Sequence, residues 1–326
     1  MLSRRTFLHS TLAASAGWPF ATDGFAQSNA YPAREIHSIC GFPAGSTADI
    51  WVRFFGDQLS KLCGQTVVVE NKPGANGLLS TEYVVRAKPD GYTIFVTPGS
   101  SLLAAARHIY KSISFDPIND FDHITPAVKQ ASLLCVAVDS PYRNVADLVA
   151  YLRSEKGKAF YGTTTNTAIV ACALLLKQFD LEATQVPYRT TPDSLNDVKS
   201  GKLSFMFVDS ATATGLARAG HLRVLCTTSQ ERMEATPDVP SAKEAGLTMD
   251  LITWWSIHAP KGLPKPVFDK LEGLFNQIVR SDTTREYLTR QGASPYIGDS
   301  KMLKELLIRE DNAWGKYVEL ANIQKL

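Results

Sequence analysis

The chain has 326 residues, 44% of them hydrophobic and 20% charged, with a formal net charge of +2. This is ordinary globular composition, and the length suffices for one large core or two smaller ones. No stretch gathers Lys and Arg into a stripe, so the electrostatic footprint of a nucleic-acid-binding protein is missing, and any selectivity for anions has to be local.

The chain opens with Ser3-Arg4-Arg5-Thr6-Phe7-Leu8, a twin-arginine pattern, followed by a mostly apolar run of small residues from Leu8 to Phe20 and by Gly24-Phe25-Ala26. Such a run falls short of the ~20 apolar residues that span a bilayer. It reads as an export signal over residues 1–26, cleaved near Ala26, which places the mature chain in the periplasm.

From Glu35 onward short β-type runs alternate with helical patterns, which predicts a mostly parallel α/β sheet. Strands are expected at Glu35–Cys40, Thr66–Glu70 and Tyr92–Thr97. A helix over Asp49–Leu62 carries Val52, Phe55, Leu59 and Leu62 on one face. The turn cluster Asn71-Lys72-Pro73-Gly74-Ala75-Asn76-Gly77 precedes a second helix that runs through Ala87. An irregular stretch is expected from Ile113 to Pro126. A second series of strands follows at Ser132–Val138, near Phe160 and Gln185, at Ser204–Val208 and at Arg223–Thr227, with helices between them. After the apolar segment Leu251–Ala259 the end of the chain is helical. No linker or repeat interrupts the pattern, so the expected organisation is a discontinuous first lobe, 31–130 plus 250–326, and an inserted second lobe, 131–249.

In open α/β sheets ligands sit beyond the carboxyl ends of the strands. Five loops there are polar and lead into helices. The first runs from Gly41 to Asp49 and includes Phe42, Ala44, Gly45, Ser46 and Asp49; the second contains Gly99 and Ser100. In the second series Thr163, Thr164, Thr165, Asn166 and Thr167 form the third, Tyr188 to Pro192 with Thr190 the fourth, and Asp209 with Ser210 the fifth. Each hydroxyl can be a helix cap. Each helix start can also present N–H groups to an anion. Convergence of five such loops favours a ligand cleft. Asp209 is ambiguous, because a carboxylate is acceptor-only and would repel an anion unless it meets a donor. Arg189 reads equally as a surface charge.

Catalytic motifs are missing: there is no G-x-S-x-G, no phosphate-binding G-x-x-x-x-G-K-[ST], no H-E-x-x-H and no G-x-G-x-x-G. The six histidines are isolated, and the five cysteines, odd in number and without CxxC spacing, read as small buried hydrophobes. No cofactor, metal site or catalytic residue is expected, and the chain is expected to act as a monomer.

Phe42-Pro43-Ala44-Gly45 with Asp49 and Arg53 is one of an ordered set of marks. Others are Val69-Glu70-Asn71-Lys72-Pro73-Gly74-Ala75 with Gly77, Pro89-Asp90-Gly91-Tyr92-Thr93, Asp116-Pro117 with Asp120-Phe121, and Val186-Pro187-Tyr188. Gly201 with Asp209, Asp238-Val239-Pro240-Ser241 with Glu244-Ala245-Gly246, Trp254 and Ala259-Pro260 follow. Through nearly the whole mature chain this pattern resembles the extracytoplasmic solute receptors of tripartite tricarboxylate transporters, the Bug-type binding proteins. The resemblance implies a type II periplasmic-binding-protein fold, with two lobes that close by a hinge on a carboxylate in a central cleft. It also implies delivery to integral-membrane permease subunits, with the loops at Phe42–Asp49 and Gly162–Thr167 as pincers. A sensor that presents the same ligand to a membrane signalling protein is the alternative. Ser46, Thr190 and Thr191 stand where the family usually has glycine, and the Thr165–Ala171 region lacks its usual glycines and histidine, so the ligand of another member does not carry over.

Overall fold

The run Ile36–Cys40 alternates with an amphipathic helix, and this βα unit sets the pattern of the whole molecule. The computed structural model describes residues 31–188 and 191–325, which leaves the export segment, its cleavage near Ala26, Arg189 and Thr190 outside the described residues. The elements are β1 (Ile36–Cys40), α1 (Thr47–Cys63), β2 (Val67–Asn71), α2 (Leu78–Val85), β3 (Thr93–Thr97), α3 (Ala106–Ile109), β4 (Phe121–Ala137), α4 (Val145–Glu155), β5 (Phe160–Thr163) and α5 (Asn166–Gln178). They continue with β6 (Thr184–Pro187), α6 (Thr191–Lys199), β7 (Phe205–Asp209), α7 (Ser210–Arg218), β8 (Leu222–Thr227), β9 (Ile252–Pro260), α8 (Lys265–Arg280), α9 (Asp282–Arg290), β10 (Ser294–Pro295) and α10 (Ser300–Leu320).

Helix α1 shows why the sequence pattern works. Val52, Phe55 and Leu59 recur at helical spacing and are fully buried. Gly64 ends the helix in a left-handed conformation, φ 71°, with its N–H on the Ser60 carbonyl at 2.9 Å. The buried face packs with Ile94, Val96, Ile257, Leu271 and Phe275, so β1, β3 and β9 are covered on that side by α1 and α8.

The strand order is β2-β1-β3-β9-β4-β7-β5-β6, with β8 and β10 also paired to β4. Both wings are parallel, as expected: β1 lies between β2 and β3, and β5 between β6 and β7. The centre is not, because β4 and β9 run antiparallel to each other and to their neighbours. The stretch expected to be irregular up to Pro126 contains the first part of β4. Register shifts between His123 and Thr125 and between Pro126 and Val128 accommodate a proline, which has no N–H for the ladder.

Strand β4 belongs to both halves of the sheet. Phe121–Ala131 pairs with β9, whereas Ser132–Ala137 pairs with β7 and β8. The chain also returns across this point between β8 and β9. There the buried Thr228 hydroxyl accepts from the Ser132 N–H at 3.1 Å and donates to the Leu251 carbonyl at 2.5 Å, and the Leu251 N–H donates to the Thr228 carbonyl at 2.9 Å. One threonine thus ties the crossing strand to the returning one. All five cysteines are free thiols; four are buried, and burial pushes the Cys226 thiol up to about 12.

Candidate functional site

A cavity of about 640 Å³ opens where the carboxyl ends of β5 and β7 meet the crossing strands. Thr163, Thr164, Thr165, Asn166 and Thr167 all line it, with Phe42, Ser100, Tyr188 and Asp209. A second hollow, about 580 Å³, lies against Arg34, His37, Tyr92 and Thr93 at the amino ends of β1 and β3, the end of a sheet where ligands are not expected.

The loop after β5 is held open toward the cavity by its own capping. Thr165 is extended (φ −141°, ψ 158°), and its hydroxyl accepts from the Ala168 N–H at 3.1 Å, which starts α5. The buried Thr163 hydroxyl accepts from the Gln185 amide at 2.9 Å, and its carbonyl accepts from the Tyr188 N–H at 2.8 Å. These bonds tie the loop to the next strand. The first N–H groups of α5 have no intrahelical acceptor, and no acidic residue stands at its cap or in its first turn. The arrangement can accept an anion from neutral donors alone. Tyr188 lines the wall, but its hydroxyl points away to Asp197 at 2.6 Å, a bond that pushes the phenol up to about 12.

The loop after β1 is built differently. Ser46 caps α1 through the Asp49 N–H at 3.2 Å. The buried Asp49 carboxylate then accepts from the Gly45 N–H at 2.8 Å, from Arg53 Nε at 2.9 Å and from the Asn71 amide at 2.7 Å. Burial alone would raise this carboxyl, but the bonds from Arg53, Asn71 and Gly45 outweigh it and hold the group at about 2. Asn71 also donates to the Phe42 carbonyl at 3.0 Å. The family marks Asp49, Arg53 and Asn71 therefore form a closed ring that shapes the loop. Among the described side chains of this loop only Phe42 reaches the cavity; Ala44, Gly45, Ser46 and Asp49 do not line it, and Ala44 and Gly45 face solvent. Gly45 has φ 80° and nothing near its missing Cβ, so the backbone angle, and not close approach, requires glycine.

Gly99 also stays behind the wall. A Cβ there would collide with the Trp254 indole, while its neighbour Ser100 lines the cavity and receives the Trp254 N–H at 3.3 Å. Asp209 caps α7, accepting from the Thr212 N–H at 2.9 Å through Oδ1, and is the one charged side chain among the described residues that line the cavity. Thr190 lies outside the described residues, and Thr191 at the start of α6 lines the wall.

Sequence reasoning missed the floor. Gln130, Ser132, Thr253 and Trp255 come from β4 and β9 where the two strands cross, and Trp314 comes from α10. Asn76 was noted only as part of a turn. In the structure its backbone is left-handed (φ 53°, ψ 34°), which is uncommon outside glycine and favoured by asparagine, and the turn dipeptide Asn76-Gly77 is the one trace of this in the sequence.

The isolated histidines do meet in one place. His123 Nε2 lies 2.9 Å from the Ile118 carbonyl, and its Nδ1 lies 2.9 Å from Nδ1 of His258; Nε2 of His258 lies 2.6 Å from the Ser256 hydroxyl. A carbonyl only accepts, so Nε2 of His123 carries the proton, His258 donates through Nδ1, and Ser256 donates to His258. Burial lowers the pKa of both rings, which fits this neutral chain. No group of three His, Cys, Asp or Glu suited to a metal ion occurs among the described residues.

A mixed sheet crossed by shared strands, with helix starts gathered around one cleft, defines a two-lobed solute-binding protein. The chain belongs to the tripartite tricarboxylate transporter family of receptors, whose pattern it matches over residues 51–323. It is 31% identical over 295 residues, 89% of this chain and 87% of the relative, to a UPF0065 protein in the tcbD–tcbE intergenic region of Pseudomonas sp. strain P51. Among solved structures it is similar to R. palustris Rpa4515 with adipate, with TM-score 0.76 and 27% identity, covering 91% of this chain and 100% of that one. It is also similar to MatC (Rpa3494) from Rhodopseudomonas palustris with bound malate, with TM-score 0.71 and 25% identity, covering 88% of this chain and 100% of that one.

Proposed function

We propose that this chain is exported to the periplasm, captures a small organic carboxylate in the 640 Å³ cavity and presents it to the integral-membrane permease subunits of a tripartite transporter, with no catalytic step. The observation that carries this reading is the Thr163–Thr167 loop: five neutral polar residues at a helix start, all facing one cavity in a member of a receptor family. Relatives of similar fold hold adipate and malate, which makes an organic acid the ligand class to test. In this reading residues 31–130 with 250–326 form one lobe and 131–249 the other. They close about the β4 crossing, and the ligand stabilises the closed state because it binds that state better.

The test is thermal melting of the mature protein, residues 27–326, against organic acids, sugars and inorganic cations. An acid at a hundredfold excess over its Kd should add ~2.7 kcal/mol of stability and raise the melting temperature. A shift with sugars or cations and with no acid would overturn the proposal.

A further inference from the structure

Five helices of eight or more residues begin at the strand-end loops around the cleft: α1, α2, α5, α6 and α7. Three of them already carry an acidic side chain at the start. Asp49 fills the beginning of α1, Asp193 stands in the first turn of α6, and Asp209 caps α7. α2 and α5 have none, and of these two only α5 has helical residues that line the cavity among those described. The described cavity lining contains no Lys, Arg or His, and its one charged group is the Asp209 carboxylate.

Among the described residues the cavity is therefore electrostatically one-ended. A carboxylate placed at α5 meets N–H groups and hydroxyls. A second carboxylate would face Asp209, whose Oδ1 is used by Thr212 and whose Oδ2 has no partner among the described residues. An ionised carboxylate accepts only, so the group that fits there is a donor. The two places are close. β5 and β7 are adjacent and parallel, with Gly162 level with Met206. Strands ~4.8 Å apart that rise ~3.3 Å per residue put the backbone of Thr163 and Asp209 on the order of 8 Å from each other. A short chain or a single ring spans that distance, and Phe42, Tyr188 and Trp255 supply apolar walls.

We infer that the ligand of this cavity is a small acid with one carboxylate, held at the start of α5, and a hydroxyl or ammonium group that donates to Asp209. This rests on the receptor reading above and narrows its ligand class away from unsubstituted dicarboxylates.

The experiment is titration calorimetry on the mature protein with matched sets: succinate, 4-hydroxybutanoate and 4-aminobutanoate; then terephthalate, 4-hydroxybenzoate and 4-(aminomethyl)benzoate. The donor-bearing acids should bind at least about tenfold tighter than the dicarboxylate of their set, as expected for a charge-assisted bond against a like-charge contact. Asp209→Asn keeps an oxygen to cap Thr212, so it should melt like the parent, and the tenfold gap should close or reverse. Tighter dicarboxylate binding by the parent protein, or an unchanged ranking in D209N, overturns the inference and leaves the receptor reading standing. Failure of every acid, here and in the melting screen, overturns the receptor reading itself and the inference with it.

Discussion

The loops after β1 and after β5 look alike in sequence: both follow a buried strand, both use small hydroxyl residues, and both open a long helix. Their structures diverge because of one carboxylate. In the first, Asp49 turns back onto the Gly45 N–H, recruits Arg53 and Asn71, and occupies the helix start itself. In the second, the cap is the neutral Thr165, and the helix start is left facing a cavity. A polar strand-to-helix turn is thus not a binding site by composition. It becomes one when the protein does not supply its own anion.

Moving a charge between the two loops should break the contrast. Thr165→Asp keeps a competent cap, since aspartate is among the best N-cap residues, but brings a negative charge to the α5 loop. At ~5 Å and an effective dielectric of ~20, repulsion of a bound carboxylate is about 3 kcal/mol, so affinity should fall more than about a hundredfold with the melting temperature held or raised. Calorimetry and melting on the same sample check it; retained affinity would show that the acid does not sit there.

The converse substitution, Asp49→Ala, should cost stability and spare binding. Removing a buried acceptor of three hydrogen bonds should cost about 2–3 kcal/mol in urea unfolding, with affinity changed less than about threefold. The pH dependence has a definite sign. The folded carboxyl is held at about 2, below its ordinary 3.8, so its contribution is fully present above pH ~4 and lost as pH falls toward 2. The variant should show a flatter loss of stability over that window. An equal acid slope in both proteins would remove Asp49 as its source.

The smallest effect is expected at Gly45→Ala. A Cβ there meets nothing, so the penalty is the left-handed backbone alone, ~1 kcal/mol, with affinity unchanged. Weakened binding would bring this loop back into the site.

Much of the second series was legible in the sequence, because Thr163–Thr167, Tyr188 and Asp209 sit at strand ends whose pattern is local. The floor was not. Gln130 and Thr253 face the cavity only because β4 and β9 pair although these two residues are 123 apart along the chain. Pro126 and the bulges hide the first part of β4 from any period-two reading. The contrast between the two loops was also unreadable at a distance. Asp49 and Arg53, four apart on a helix, announce an ion pair, but the inward turn of the carboxylate depends on Asn71, which arrives from the next strand.

The shared strand also bears on the order in which the fold can be completed as the chain is made. β1 to β3 emerge first, but the outer edge of β3 is covered by β9 and that of β9 by β4, so β3 waits for residues 252–260. The segment from Ser132 to Thr227, by contrast, contains all the partners of β5 to β8 in one uninterrupted length. The half that carries the α5 loop can therefore close while the earlier strands still present an open edge, the feature that templates pairing with other chains. A nascent chain stalled before β9 would expose that edge, and the first strands synthesised are the last to be enclosed.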